Sequence, residues 1–202
     1  MKSAKIVSGI VIAGVAAGIL AGRLQSDDKK AQEKPDPAME AMIKAGTPGE
    51  NHKLLEPIAG NWDVAGKFWM QPDAPPMESP STCQRKWILG GRFLQEDVDG
   101  TFMGAPFHGL GFVGYDNVKK AYVSSWMDSM STSIATSSGT ADSSGKRFTF
   151  KGEYPDPVTG KDKKTRTLLS IEARDKHKME VFETGPDGKE YKSLELVFSR
   201  KR

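Results

Sequence analysis

The 202-residue chain contains one cysteine, Cys83, and three histidines. A single thiol excludes an internal disulfide and any cysteine-rich zinc site. Charge of one sign is also missing. Lys and Arg number 29 against 26 Asp and Glu, a formal charge of +3, without the basic footprint of a dedicated nucleic-acid binder. Serines crowd residues 124–144, yet Gly-x-Ser-x-Gly, the pattern that exposes a hydrolase nucleophile, is absent. Gly109, Gly111 and Gly114 lie in a strand pattern with no helix after them, which removes a phosphate-cradling loop. Beyond Pro57 no helical period appears, so βαβ units are excluded.

What is present divides the chain into three parts. Lys2 and Lys5 precede an uncharged run from Ile6 to Gly22 that Arg23 closes, the outline of a secretory leader. As a helix it would reach about 26 Å at roughly 1.5 Å per residue, the short end of what crosses a bilayer. Residues 1–23 therefore read as a signal peptide or a membrane anchor. No small-residue cleavage pair stands out, and no cysteine follows to carry a lipid. Gly14, Gly18 and Gly22 form a stripe suited to helix packing in a membrane, or reflect ordinary leader composition. The expectation is an exported domain in the periplasm or cell envelope, secreted after cleavage or held by its N-terminal helix. A buried helix of a cytosolic domain is the third option.

Residues 24–49 turn polar, with Asp27-Asp28-Lys29-Lys30 and Pro35-Asp36-Pro37 marking a flexible linker. Within it, Pro37–Ala45 predicts a short helix, with Asp36 as N-cap and Gly46 after its end. That helix either covers the following domain or stays part of the tether.

Residues 50–202 form the expected barrel domain, and after Pro57 its pattern has period two. It predicts strands at Asn61–Met70, Thr82–Leu89, Phe93–Phe102, Phe107–Tyr115, Ala121–Asp128, Ser131–Thr140, Arg147–Tyr154, Lys164–Ala173, Lys178–Thr184 and Tyr191–Ser199. Gly90-Gly91, Asp116-Asn117 and Gly185-Pro186-Asp187-Gly188 supply turn chemistry between them. A long meander protects its edges by closing. The expected fold is mainly β, an up-and-down antiparallel β-barrel of about 8–10 strands. Glycines repeated at 109 and 111 either leave interior room or mark close strand packing.

Particular residues carry a resemblance. Gly60-Asn61-Trp62 opens the first strand and resembles the Gly-x-Trp signature of lipocalins and related calycin barrels. The longer set is Leu89-Gly90-Gly91-Arg92-Phe93-Leu94, Gly111-Phe112-Val113-Gly114-Tyr115-Asp116 and Tyr122-Val123-Ser124-Ser125-Trp126-Met127-Asp128. With it, residues 50 to 200 resemble the bacterial family catalogued as domain of unknown function 1579. The resemblance implies a calycin-like barrel with Trp62 closing its bottom under Arg200. It brings no catalytic residues, substrate or cofactor.

Individual side chains offer limited chemistry. His108 could join Glu96 or Asp128 in a zinc site, but no short histidine spacing preorganises one. A haem would need His108 or His177 as axial ligand, and no motif demands it. Neither a metal nor a cofactor is expected, and no nucleophile–base pair can be named. Glu96, Asp97 and Asp99 read as charges on the outside of the barrel, and Cys83 as a small buried hydrophobe. Trp126 and Asp128 share a strand face and suit the polar end of a ligand, or else Asp128 caps the turn after it.

Two functions follow. One is a binding module for a small, mostly apolar or amphipathic ligand, with Trp126, Asp128, His108 and Met127 as binding residues. The other is an envelope structural or interaction protein whose barrel is filled.

Overall fold

The computed structural model describes residues 36–157, 159–185 and 187–202. The expected leader, with its glycine stripe, and the start of the expected linker lie outside the described residues. Among the described residues no helix is long and apolar enough to cross a membrane.

Ten strands form one closed barrel: β1 Gly60–Phe68, β2 Met77–Ile88, β3 Phe93–Phe102, β4 Ala105–Asp116, β5 Ala121–Asp128, β6 Ala135–Ala141, β7 Arg147–Pro155, β8 Asp162–Ala173, β9 Lys176–Thr184 and β10 Glu190–Arg200. Each pairs antiparallel with its sequence neighbours, and β1 meets β10 from Trp62 opposite Arg200 to Phe68 opposite Leu194. Up-and-down order is what short connections dictate, because links of two to eight residues are too short for the crossover a parallel pair needs. In β1 the alternation is plain: Trp62, Val64 and Gly66 are buried while Asn61, Asp63 and Ala65 face solvent.

The helix α1, Pro37–Gly46, forms as its capping residues predict. Asp36 accepts from the Ala38 amide at 2.9 Å, and Pro37 occupies the first turn. It does not cover the barrel opening. None of its residues is buried, and Asn117 holds its end by donating to the Ala45 and Thr47 carbonyls.

The stopper is the next segment, α2 Glu50–Lys53 with a 3-10 turn at Glu56–Ile58. Leu55 and Ile58 are buried against Leu94, Tyr122, Phe148 and Leu169. Tyr122 donates to the Asn51 carbonyl at 3.0 Å, and Trp87 donates to Glu56 at 2.5 Å. The β2–β3, β4–β5, β6–β7 and β8–β9 turns surround this closed end. The β1–β2, β3–β4, β5–β6, β7–β8 and β9–β10 links surround the other, which forms a mouth.

Candidate functional site

Above the stopper the interior is not filled. A cavity of about 490 Å³ lies inside the barrel, walled by inward side chains of the strands. Val64, Val98, Phe150, Leu169, Met179 and Leu196 give it an apolar lining. A larger concavity of about 890 Å³ on the outer face of β5–β9 is lined by Lys151, Lys164 and Arg166. Arg166 there is already held by Glu190, and the surface is open to solvent, so it encloses nothing.

One wall of the cavity is built by a tryptophan lying against glycines. Trp126 projects inward from β5 opposite Gly111 of β4. A Cβ on Gly109 would stand 2.4 Å from the indole, and one on Gly111 would stand 3.0 Å from it. The glycines therefore do leave room, but the room holds the Trp126 ring, which also stacks with Phe107 at 6.5 Å. Trp126 Nε1 donates to Asp128 Oδ2 at 2.9 Å, and Asp128 Oδ1 accepts from the Met130 amide at 2.9 Å. Asp128 thus orients the indole and caps the turn at once.

The floor is polar. Arg85, only 4% exposed, and Glu96 face each other on β2 and β3, and both line the cavity. Arg85 Nη2 donates to Glu96 Oε1 at 2.9 Å, and the Cys83 thiol donates to the same oxygen at 3.5 Å. Burial opposes the charge of Arg85, and Glu96 more than restores it, so the guanidinium is held above its usual value. Burial likewise pushes the Cys83 thiol well up, which keeps it protonated and inert.

Beneath the floor an aromatic column reaches the closed end. Arg85 Nη1 stands 2.7 Å from His177 Nε2. Guanidinium nitrogens only donate, so Nε2 accepts and the histidine proton sits on Nδ1. His177 stacks on Phe198 at 4.2 Å and meets Trp62 edge-on at 4.2 Å. Burial first, then Arg85 and Arg200, pulls the His177 value down to about 2. Arg200 covers Trp62 with Cζ 4.1 Å from the ring centre, and it donates to the Ala59 and Pro57 carbonyls at 2.9 Å each.

The mouth has two characters. Phe68, Phe102 and Phe107 line one side, with ring centres 5.1 and 6.5 Å apart in sequence. Across from them Lys163 holds Glu183 at 2.6 Å, with Tyr191 donating to that carboxylate at 3.4 Å. Tyr154, chiefly through burial and then through Glu183, is pushed up to about 12.

The residues expected at the site separate into two groups. Trp126 and Asp128 line the cavity. His108 does not, because alternation along β4 turns it outward, where it is exposed and pairs with Asp99 at 2.8 Å. Met127 lies between two inward residues of β5 and so also falls on the outer face, opposite Leu110. His108 cannot join the inward-facing Glu96 or Asp128 in a metal site. His177 has its ring packed between Trp62 and Phe198 and does not line the cavity. Glu96 corrects the outside reading given to the β3 carboxylates, whereas Asp97 and Asp99 fit it, pairing with Lys86 and His108. Arg85 stands in no motif, although it shares a strand face with Cys83 and Trp87, and a charge on such a face is itself a signal.

Comparison with known proteins agrees with the architecture. A family model described as Protein of unknown function (DUF1579) matches residues 47–200. No curated protein matches the sequence. Among solved structures, the crystal structure of Rv2717c from M. tuberculosis is similar at 16% identity and a TM-score of 0.59, over 77% of this chain and all of that one. A redesigned β-barrel, b11L5F_LGL, aligns at 15% identity over 78% of this chain and all of its own, with a TM-score of 0.40. At 16% identity the likeness to Rv2717c extends to the fold alone.

Proposed function

The chain belongs to the DUF1579 family, a membership that assigns no reaction, and we propose from its interior that it binds a small, mostly apolar ligand within the barrel. The observation that carries this reading is the cavity of about 490 Å³, inside the roughly 300–1,000 Å³ span of small-molecule sites. Apolar walls favour burial of ligand surface at about 25 cal/mol per Å². The Trp126 ring, fixed by Asp128 and seated on two glycines, offers a flat preformed wall that needs no reordering on binding. A filled barrel working through its outer surface finds less support, since the space above the stopper is open.

The placement of this binding protein outside the cytoplasm rests on the sequence alone. The basic start, apolar run and polar linker of residues 1–49 support an exported or membrane-tethered domain. The barrel itself resembles calycins in the Gly60, Trp62 and Arg200 arrangement, which supports a carrier role of that kind.

The test is to purify the full chain under mild conditions, extract it with organic solvent and identify bound compounds by mass spectrometry. A stoichiometric apolar or amphipathic compound is the expected result. Absence of any such compound, together with failure to take up an environment-sensitive apolar dye, overturns the reading.

A further inference from the structure

Resting on that ligand reading, we propose that the cavity takes an amphipathic molecule head first. Its uncharged polar end, a hydroxyl or carboxamide, sits on the Arg85–Glu96 pair, and its apolar tail runs to the aromatic side of the mouth.

The floor of the cavity keeps unused hydrogen-bonding capacity. The charged side chains facing the cavity away from the floor, and several hydroxyls, are already occupied. Asp128 has both oxygens engaged, by the Trp126 indole and the Met130 amide. Ser124 and Ser137 bond each other at 2.7 Å. Glu183 is held by Lys163 and Tyr191. The floor differs. Glu96 takes both of its donors, Arg85 and Cys83, on Oε1, and Oε2 has no partner among the described residues. Arg85 Nε is buried without an acceptor. Glu96 therefore offers a free acceptor at the bottom of an apolar chamber, with the unmet Arg85 Nε buried behind it, and an unmade hydrogen bond there is costly.

Charge selects the kind of head. Arg85 and Glu96 neutralise one another at 2.9 Å, so the floor holds no net charge for an ion to meet. A carboxylate head would be pressed against Glu96, and an ammonium head against Arg85. A neutral group that donates satisfies the free Glu96 oxygen without bringing a charge to the floor. The opposite end suits the tail, because Phe68, Phe102 and Phe107 present rings there.

Calorimetry of the full chain with decanol, decanamide and decanoate at neutral pH tests this directly. The expected order is alcohol and amide binding at least about tenfold more tightly than carboxylate. Glu96→Gln leaves Arg85 as an uncompensated cation, and the order is expected to invert in favour of decanoate. All three probes binding alike in both proteins overturns the head-first placement and leaves cavity binding standing. No binding of any probe overturns the ligand reading itself. Should Glu96→Gln fail to fold, nitrogen-resolved NMR of the wild-type chain decides. Decanamide, but not decane, is expected to shift the Arg85 Nε–H resonance. A shift confined to the Trp126 indole N–H places the head at the mouth and overturns the proposal.

Discussion

The guanidinium of Arg200 stands 4.1 Å above the Trp62 ring and fills the place where a Cβ on residue 60 would lie, 2.4 Å from its Nη1. Gly60 also has φ +115, a backbone region closed to most side chains. The glycine, the indole and the arginine are therefore one unit that seals the closed end of the barrel.

Gly60→Ala is expected to destabilise the fold by about 2–3 kcal/mol, the sum of backbone strain and displacement of the arginine. Arg200→Met should cost about 2 kcal/mol, from the lost cation–π contact and the carbonyls of Pro57 and Ala59 returned to water. Urea denaturation of the single variants and the double variant checks the coupling. If the two losses simply add, the side chains are independent and the unit does not exist.

His177 makes stability depend on pH in one direction. Its folded value is drawn down to about 2 from an ordinary 6.5, so the unfolded chain binds a proton that the folded chain refuses. Stability is fully present above pH 6.5 and falls as the solution is acidified towards 2. One such proton gives a slope approaching 1.4 kcal/mol per pH unit, to order of magnitude. His52, lowered chiefly by burial, adds a slope of the same sign. Between pH 6.5 and 5.5, above the carboxylate range, His177→Gln should flatten the urea midpoint profile while keeping an acceptor for Arg85. An unchanged profile would mean that His177 is protonated in the fold.

How much of this was legible depends on which force decides each element. β3 and β5 have the predicted bounds, because both carry clear alternation and turn residues at each end. The predicted β2 starts at Thr82, whereas the strand starts at Met77. Its early inward residues, Ser79 and Ser81, line the cavity, and a wall facing an open space lacks the apolar period of a packed core. Pro80 further disguises it. The predicted β6 starts at Ser131, whereas the strand starts at Ala135, because Asp128 captures the Met130 amide and bends residues 129–134 into a loop. At the site, alternation alone put Trp126 and Asp128 on one face. It could not show Arg85 beside Glu96, since that pairing depends on the β2–β3 register. A lone charge reads as solvent-facing until its partner across the sheet is known.

Gly109→Ala tests the tryptophan wall. The added methyl would meet the indole at 2.4 Å, so the ring must rotate into the cavity. The expected result is a shifted Trp126 emission and a ligand affinity weakened by about tenfold, equivalent to about 1.4 kcal/mol. Trp126→Phe in the same background should relieve the crowding and restore part of the affinity. Equal losses with and without the indole would show that Gly109 acts through strand pairing instead.

Val181 lines the cavity from β9, midway between Met179 and Glu183 on the same face. Val181→Trp adds bulk into space rather than into a packed core, so the usual penalty of overpacking, about 1–3 kcal/mol, should be largely avoided. The variant is expected to keep the urea midpoint of the parent and to lose uptake of an apolar dye. Tryptophan at 181 also removes the volume that a ligand tail would fill, so dye and decanol should be lost together. A variant that unfolds early would mean the interior is tighter than its volume implies. One that folds and still takes up dye would move the binding surface to the outside of the barrel.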